Sequence, residues 1–209
     1  MKNSLKVFTC MLAIAACSTL AVQAQTSPKI GLKGGVNLTN LYVDNVQDEH
    51  MKVGANIGLF TKIPVTSLFA VQPEIAYSQK GTQTNYNNAF GSGKYRFNLD
   101  YLEIPVAAVV NVTNNFSLHA GPYVGFLLSA KVKDVDQNGN IKGVTELNKD
   151  NFQSTDYGLF GGLGYDVGGV TLGARYTYGL QAVGKNGLAG DLTQNSKNVA
   201  LSFYLGIGL

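Results

Sequence analysis

The sequence predicts an all-β fold, an eight-stranded antiparallel up-and-down transmembrane β-barrel. Three observations carry that prediction. Long segments alternate apolar with polar or small residues at period two, as strands do when their two faces meet different surroundings. The connections between these segments alternate short and long, as they must when one end of a barrel carries tight turns and the other carries loops. Beyond the N-terminal segment, no apolar run reaches the about 20 residues of a transmembrane helix.

The N-terminal segment stands apart from the barrel. Lys2 and Lys6 precede an apolar run from Val7 to Val22, which ends at Val22-Gln23-Ala24. Charged, apolar and small-residue regions in that order make a secretory signal peptide over residues 1–24. The barrel domain is then 25–209. Ile14-Ala15-Ala16-Cys17 leaves open a second processing route, in which Cys17 is lipidated. Cleavage after Ala24 removes both cysteines, so the mature chain has no disulfide and no thiolate chemistry. The net charge falls from +3 to +1, because Lys2 and Lys6 leave and no acid does. So balanced a charge argues against a nucleic-acid partner. All 25 glycines stay, about twice the usual share of roughly 7%. With 11 tyrosines and no tryptophan they suggest a curved sheet.

Eight strands follow, over roughly 29–39, 51–63, 68–79, 94–111, 116–130, 154–165, 170–181 and 197–208. The last alternates most clearly. Val199, Leu201, Phe203, Leu205, Ile207 and Leu209 share one face, against Ala200, Ser202, Tyr204, Gly206 and Gly208. The strand from Phe116 sets Leu118, Ala120, Pro122, Val124, Phe126 and Leu128 against Ser117, His119, Gly121, Tyr123, Gly125 and Leu127. Near Val170 the apolar set is Leu172, Ala174, Tyr176, Tyr178 and Leu180, against Thr171, Gly173, Arg175, Thr177 and Gly179. The short connections are Pro64 to Ser67, Val112 to Asn115 and Asp166 to Gly169. The long ones are Asn40 to His50, Lys80 to Gly93, Lys131 to Gln153 and Ala182 to Ser196. Both chain ends lie on the short-turn side.

Alternation does not say which face points inward. A secreted lipocalin-like carrier would turn the apolar face in, around a ligand. Three features favour a barrel in outer-membrane lipid. The polar face is rich in glycine and small residues. Tyr77, Tyr157, Tyr165, Tyr176 and Tyr178 sit near strand ends on the apolar face, as an interfacial girdle does. Disulfides and tryptophan are absent from the mature chain.

Six stretches add a family resemblance: Ile30 to Leu38, Val71 to Gly81, Asp100 to Pro105, His119 to Lys133, Asp156 to Tyr165 and Gly173 to Tyr178. Taken in order, they resemble the outer-membrane β-barrel family typified by the PorT protein of Bacteroidetes. The resemblance implies the outer membrane of a Gram-negative cell and an association with protein export. It does not imply an activity.

With the apolar face in lipid, the lumen holds Lys33, Asn37, Asn56, Gln72, Glu74, Tyr101, Glu103, Ser117, His119, Tyr123, Arg175 and Thr177. In so narrow a barrel, opposed charges pair, so Lys33, Glu74, Glu103 and Arg175 are expected to form a structural charge plug. A gated pore or narrow solute channel is the alternative. Ser117 and His119 share a face two residues apart, with Glu74 or Glu103 as a third member. A lumenal histidine is more often a hydrogen-bonded filler than a base, so no catalytic residue is assigned. Asp134 to Ile141 follows the start of a calcium loop, but Thr145 stands where the closing glutamate belongs. An exposed polar turn is the simpler reading. His50, Gly91, Gly93, Gly184, Gly187 and Gly190 fall in loops without a phosphate-cradling motif. No metal or cofactor site is expected. The sequence points to a structural or accessory barrel displaying four extracellular loops. Secretion-machinery or surface proteins are the candidate partners.

Overall fold

The computed structural model describes residues 27–42, 51–88, 91–136, 139–185 and 196–209. Nine strands run in chain order: β1 (Lys29–Tyr42), β2 (Lys52–Pro64), β3 (Phe69–Asn88), β4 (Gly91–Asn111), β5 (Phe116–Asp136), β6 (Ile141–Glu146), β7 (Thr155–Val167), β8 (Val170–Ala182) and β9 (Lys197–Gly208). Eight of them close a ring in which each pairs antiparallel with its neighbours. Among the described residues only β6 lies outside it, paired with the far end of β5. The seam joins β1 to β9 from Gly31↔Gly208 to Tyr42↔Lys197. Closure leaves no unpaired edge in the ring, as lipid requires. No helix among the described residues is long and apolar enough to cross a membrane.

The alternation resolves into an outside and an inside. Leu32, Val36, Ile57, Leu59, Ile75, Leu118, Leu163, Leu172, Phe203 and Leu205 are all exposed on the outer face. Lys33, Asn37, Gln72, Glu74, His119 and Arg175 are buried inside. An apolar belt around a polar interior is the inverse of a soluble barrel and far exceeds the apolar patch a soluble surface carries. The lipocalin-like alternative fails on this point. Tyr157 and Tyr165 face outward near opposite ends of β7. Tyr176 faces outward too but sits mid-strand opposite Gly161, so the expected girdle is only partly at strand ends.

The short turns explain themselves locally. Val65-Thr66-Ser67-Leu68-Phe69 and Val112-Thr113-Asn114-Asn115-Phe116 repeat one pattern. In each, the threonine hydroxyl accepts from two backbone N–H groups, those of Leu68 and Phe69 or of Asn115 and Phe116. The third turn uses Gly168 and Gly169 at φ 56° and 91°, the left-handed pair that a two-residue hairpin needs.

The opposite end departs from expectation. The sequence pattern predicts loops over Lys80 to Gly93 and Lys131 to Gln153, but β3 continues to Asn88, β4 begins at Gly91 and β5 continues to Asp136. These strands have 20, 21 and 21 residues, against 12 to 14 in the other ring strands. Crossing the hydrocarbon takes about 9–11, so the β3–β4–β5 sheet stands well clear of it and β6 adds a fourth strand. Outside the lipid both faces meet polar surroundings. The apolar alternation fades there while the hydrogen-bond ladder continues.

Candidate functional site

Side chains from every side of the ring meet in the lumen in two charged clusters. The first centres on Glu74 of β3. Its carboxylate accepts from Lys33 Nζ at 2.7 Å, from Arg175 Nη1 and Nη2 at 2.9 and 2.7 Å, and from Gln72 Nε2 at 2.9 Å. A carboxylate offers about four acceptor sites, and these contacts fill them. Arg175 also lies 4.1 Å from the centre of the Phe160 ring, and the Lys33 ammonium 4.3 Å from that of Tyr204. Tyr204 needs Gly173 opposite it: a Cβ there would fall 2.1 Å from the ring.

Glu103 does not join Glu74. In the β3–β4 register it faces Ala76, nearer the long-loop end, and its Oε1 lies 2.6 Å from Lys80 Nζ. Lys80 also pairs with Asp156 at 3.0 Å and is 1% exposed. Tyr123 donates to Asp156 at 3.0 Å, and Asn198 Nδ2 lies 3.1 Å from the same oxygen and 3.2 Å from the Tyr101 hydroxyl. The expected group of four charges is therefore split over two levels, and Lys80 and Asp156 complete the second. Both were legible. Extending Gln72-Glu74-Ala76-Ser78 by one period lands on Lys80, and Asp156 starts the inward run Gly158, Phe160, Gly162. Reading Lys80 as loop hid the first.

Three cations and three carboxylates thus neutralise one another along the lumen, with a surplus cation in the Glu74 cluster and a surplus carboxylate in the Lys80 cluster. Asn37, Ser78, Asn56 and Ser202 fill the space between as a hydrogen-bonded group. A cavity of about 30 Å³ remains between the clusters, room for a water or two rather than a water column.

At the long-loop end an apolar layer covers the lumen: Leu41, Leu99, Tyr101, Ala130, Phe152 and Val183. Phe152 comes from the connection between β6 and β7, just after a 3₁₀ turn over Lys149–Asn151. That connection is tied to the end of β8 by Gln153 N–H to Val183 O at 2.9 Å and Lys185 N–H to Asn151 O at 2.9 Å. No sequence periodicity points to Phe152.

The remaining candidates are placed as follows. Ser117 Oγ lies 2.9 Å from His119 Nε2, and the other ring nitrogen is 3.5 Å from the Tyr204 hydroxyl. The polar contacts of the imidazole are to Ser117 and Tyr204, while Glu74 accepts from Lys33, Arg175 and Gln72 and Glu103 pairs with Lys80, so neither glutamate orients it. Thr177 is buried in the lumen. Asp136 accepts from Asn140 N and Nδ2 at 2.8 and 3.1 Å, closing the β5–β6 turn at Gly139. Gln137 and Asn138 of the calcium-like stretch, with His50, Gly187 and Gly190, lie outside the described residues. Among the described residues no group of three or more His, Cys, Asp or Glu side chains could hold a metal ion.

A closed eight-strand ring with a lipid-facing apolar belt and a charge-filled interior defines a small outer-membrane β-barrel. Comparison agrees. Residues 23–183 match the family described as the outer membrane protein beta-barrel domain, and the chain belongs to it. Among solved structures it is similar to Ail, the attachment invasion locus protein of Yersinia pestis, in complex with the heparin analogue sucrose octasulfate. That match has 12% identity and a TM-score of 0.50 over 88% of this chain and 100% of that one. Neisserial surface protein A is similar at 9% identity and a TM-score of 0.50, with the same coverage. At such identity the likeness is one of fold. No curated protein sequence matches. Family and fold place the chain in the Gram-negative outer membrane. The short turns, the start of β1 and the end of β9 then face the periplasm, and the β3–β4–β5–β6 sheet stands outside the cell.

Proposed function

We propose that this is an exported, non-conducting outer-membrane barrel that acts through the sheet and loops it displays outside the cell. The filled lumen carries the proposal. Lys33, Glu74, Glu103 and Arg175, with Lys80 and Asp156, serve as a structural plug, and the Phe152 layer seals the outer mouth. Export by a signal peptide cut after Ala24 fits the charged, apolar and small-residue order at the N-terminus. Purified barrel in planar bilayers is expected to show no steady conductance. Sustained conductance would sink this proposal and bring the narrow solute channel forward.

Two finer readings have support. The stretches resembling the PorT-typified family favour a part in protein export, and deletion would then leave secreted cargo in the periplasm. Arg96 and Lys133 are direct cross-strand partners on the extracellular sheet. Like charges so placed repel, which favours an acidic surface polysaccharide as ligand. Replacing both by glutamine should then abolish retention of the barrel on a sulfated-glycan resin.

A further inference from the structure

The lumen is closed at the extracellular mouth and open at the other. Beneath Phe60 the barrel widens into a vestibule of about 530 Å³, lined by Lys29, Phe60, Lys62, Asn111, Asp166 and Thr171 together with the short turns. That volume lies within the range of small-ligand sites, about 300–1,000 Å³. A smaller cavity of about 40 Å³ shares Phe60, Lys62, Asp166 and Thr171 with it and reaches up to Ser117, His119 and Tyr204.

Lys33, Lys80 and Arg175 each have a carboxylate in contact. Lys29 and Lys62 are direct cross-strand partners in the β1–β2 register, and both line the vestibule. Like charges directly opposite destabilise a sheet. Among the described residues no carboxylate lies within ion-pair reach of either. Lys62 has one long contact, to Asn111 Oδ1 at 3.4 Å. One acid of the vestibule, Asp166, accepts from the Thr171 hydroxyl, and Leu209 also lines it. Two lysine side chains on one face of the sheet, both lining a concave mouth, concentrate anions. An oxyanion bridging them would remove their repulsion and make charge-assisted hydrogen bonds to both.

We infer that the periplasmic vestibule is an oxyanion-binding site, in which Lys29 and Lys62 together hold the phosphate or carboxylate group of a ligand entering from the periplasm. The apolar wall at Phe60 and Pro64 would take the ligand's adjoining carbon. The site stands independently of what the extracellular sheet binds. It faces the other compartment, across the charged lumen.

The test is a titration of the mature barrel in maltoside micelles with inorganic phosphate, followed by amide NMR. Saturable shifts are expected at Lys29, Phe60, Lys62 and Thr171, with Phe97 and Phe152 unmoved. Lys62→Gln should weaken the apparent affinity at least tenfold, whereas Lys142→Gln, on the exposed extracellular strand, should leave it unchanged. Shifts that do not saturate, or that fall equally in both variants, overturn the site. Repeating the titration with short-chain phosphatidylglycerol present identifies the source. Competition assigns the oxyanion to a lipid headgroup, and unchanged phosphate affinity assigns it to a soluble periplasmic anion. Either result keeps the site.

Discussion

Glu74 neutralises two buried cations with one carboxylate, and that asymmetry makes it the most sensitive residue of the lumen. Glu74→Gln leaves Lys33 and Arg175 facing each other without a counter-charge. Breaking a buried pair in this way costs about 3–5 kcal/mol. The expected result is a lower urea midpoint for the unheated, compact form in detergent. Replacing Lys33, Glu74 and Arg175 together by methionine, leucine and methionine should cost far less, because no charge is stranded. If both variants unfold alike, the ion pairs are not what holds this level of the lumen. Gly173→Val tests packing at the same level. Its side chain would occupy the place of the Tyr204 ring, and overpacking typically costs about 1–3 kcal/mol. Gly161→Val, where a Cβ meets nothing within 4 Å, is the control expected to change little. Residue roles of this kind were partly legible. Parity alone could place Lys33, Glu74, Glu103 and Arg175 on the polar face of their strands. Which carboxylate meets which cation depends on strand stagger, and parity carries no stagger.

Among the elements, the β3–β4–β5 strands and the β6–β7 connection set this barrel's outer end. Phe152 anchors that connection over the lumen, 2% exposed and 5.5 Å from the Phe97 ring. Phe152→Ala is expected to free it. Amide exchange should accelerate at 151–153 and 183–185, while the urea midpoint of the ring strands moves little, since the anchor lies outside the ring's ladder. Equal acceleration throughout the barrel would instead make Phe152 part of the barrel's own core. On whole cells, trypsin should cut first at Lys142 or Lys149, both exposed, and should spare Lys80, which is buried between Glu103 and Asp156. The extended strands escaped the sequence reading because their alternation loses its apolar partner outside lipid. β6 is the extreme case, with all six residues exposed.

For the whole molecule, closure of the ring is the property to measure. Every ring strand is paired on both sides, so unfolding has no frayed edge from which to start. The mature chain should sit in outer-membrane fractions and run at different mobilities unheated and boiled on a denaturing gel. A periplasmic protein without a shift would contradict the belt of exposed apolar residues. The two mouths also differ, with an apolar seal outside and a lysine-lined vestibule inside. On the non-conducting reading proposed above, each mouth would meet its own compartment separately.

By itself the sequence determined the strand count of the ring, the parity of each strand and the side carrying the short turns. All three follow from local period and from turn chemistry such as Val-Thr-x-x-Phe and Gly168-Gly169. Alternation by itself is symmetric under inversion of the barrel, and the small-residue polar face and outward tyrosines are what pointed to lipid outside. Only the tertiary structure decided that the lumenal charges divide between Glu74 and Lys80, that Phe152 closes one mouth and that Lys29 stands opposite Lys62. Each of these is a relation between residues far apart in the chain. It exists once register and curvature bring the strands together, and no single strand encodes it.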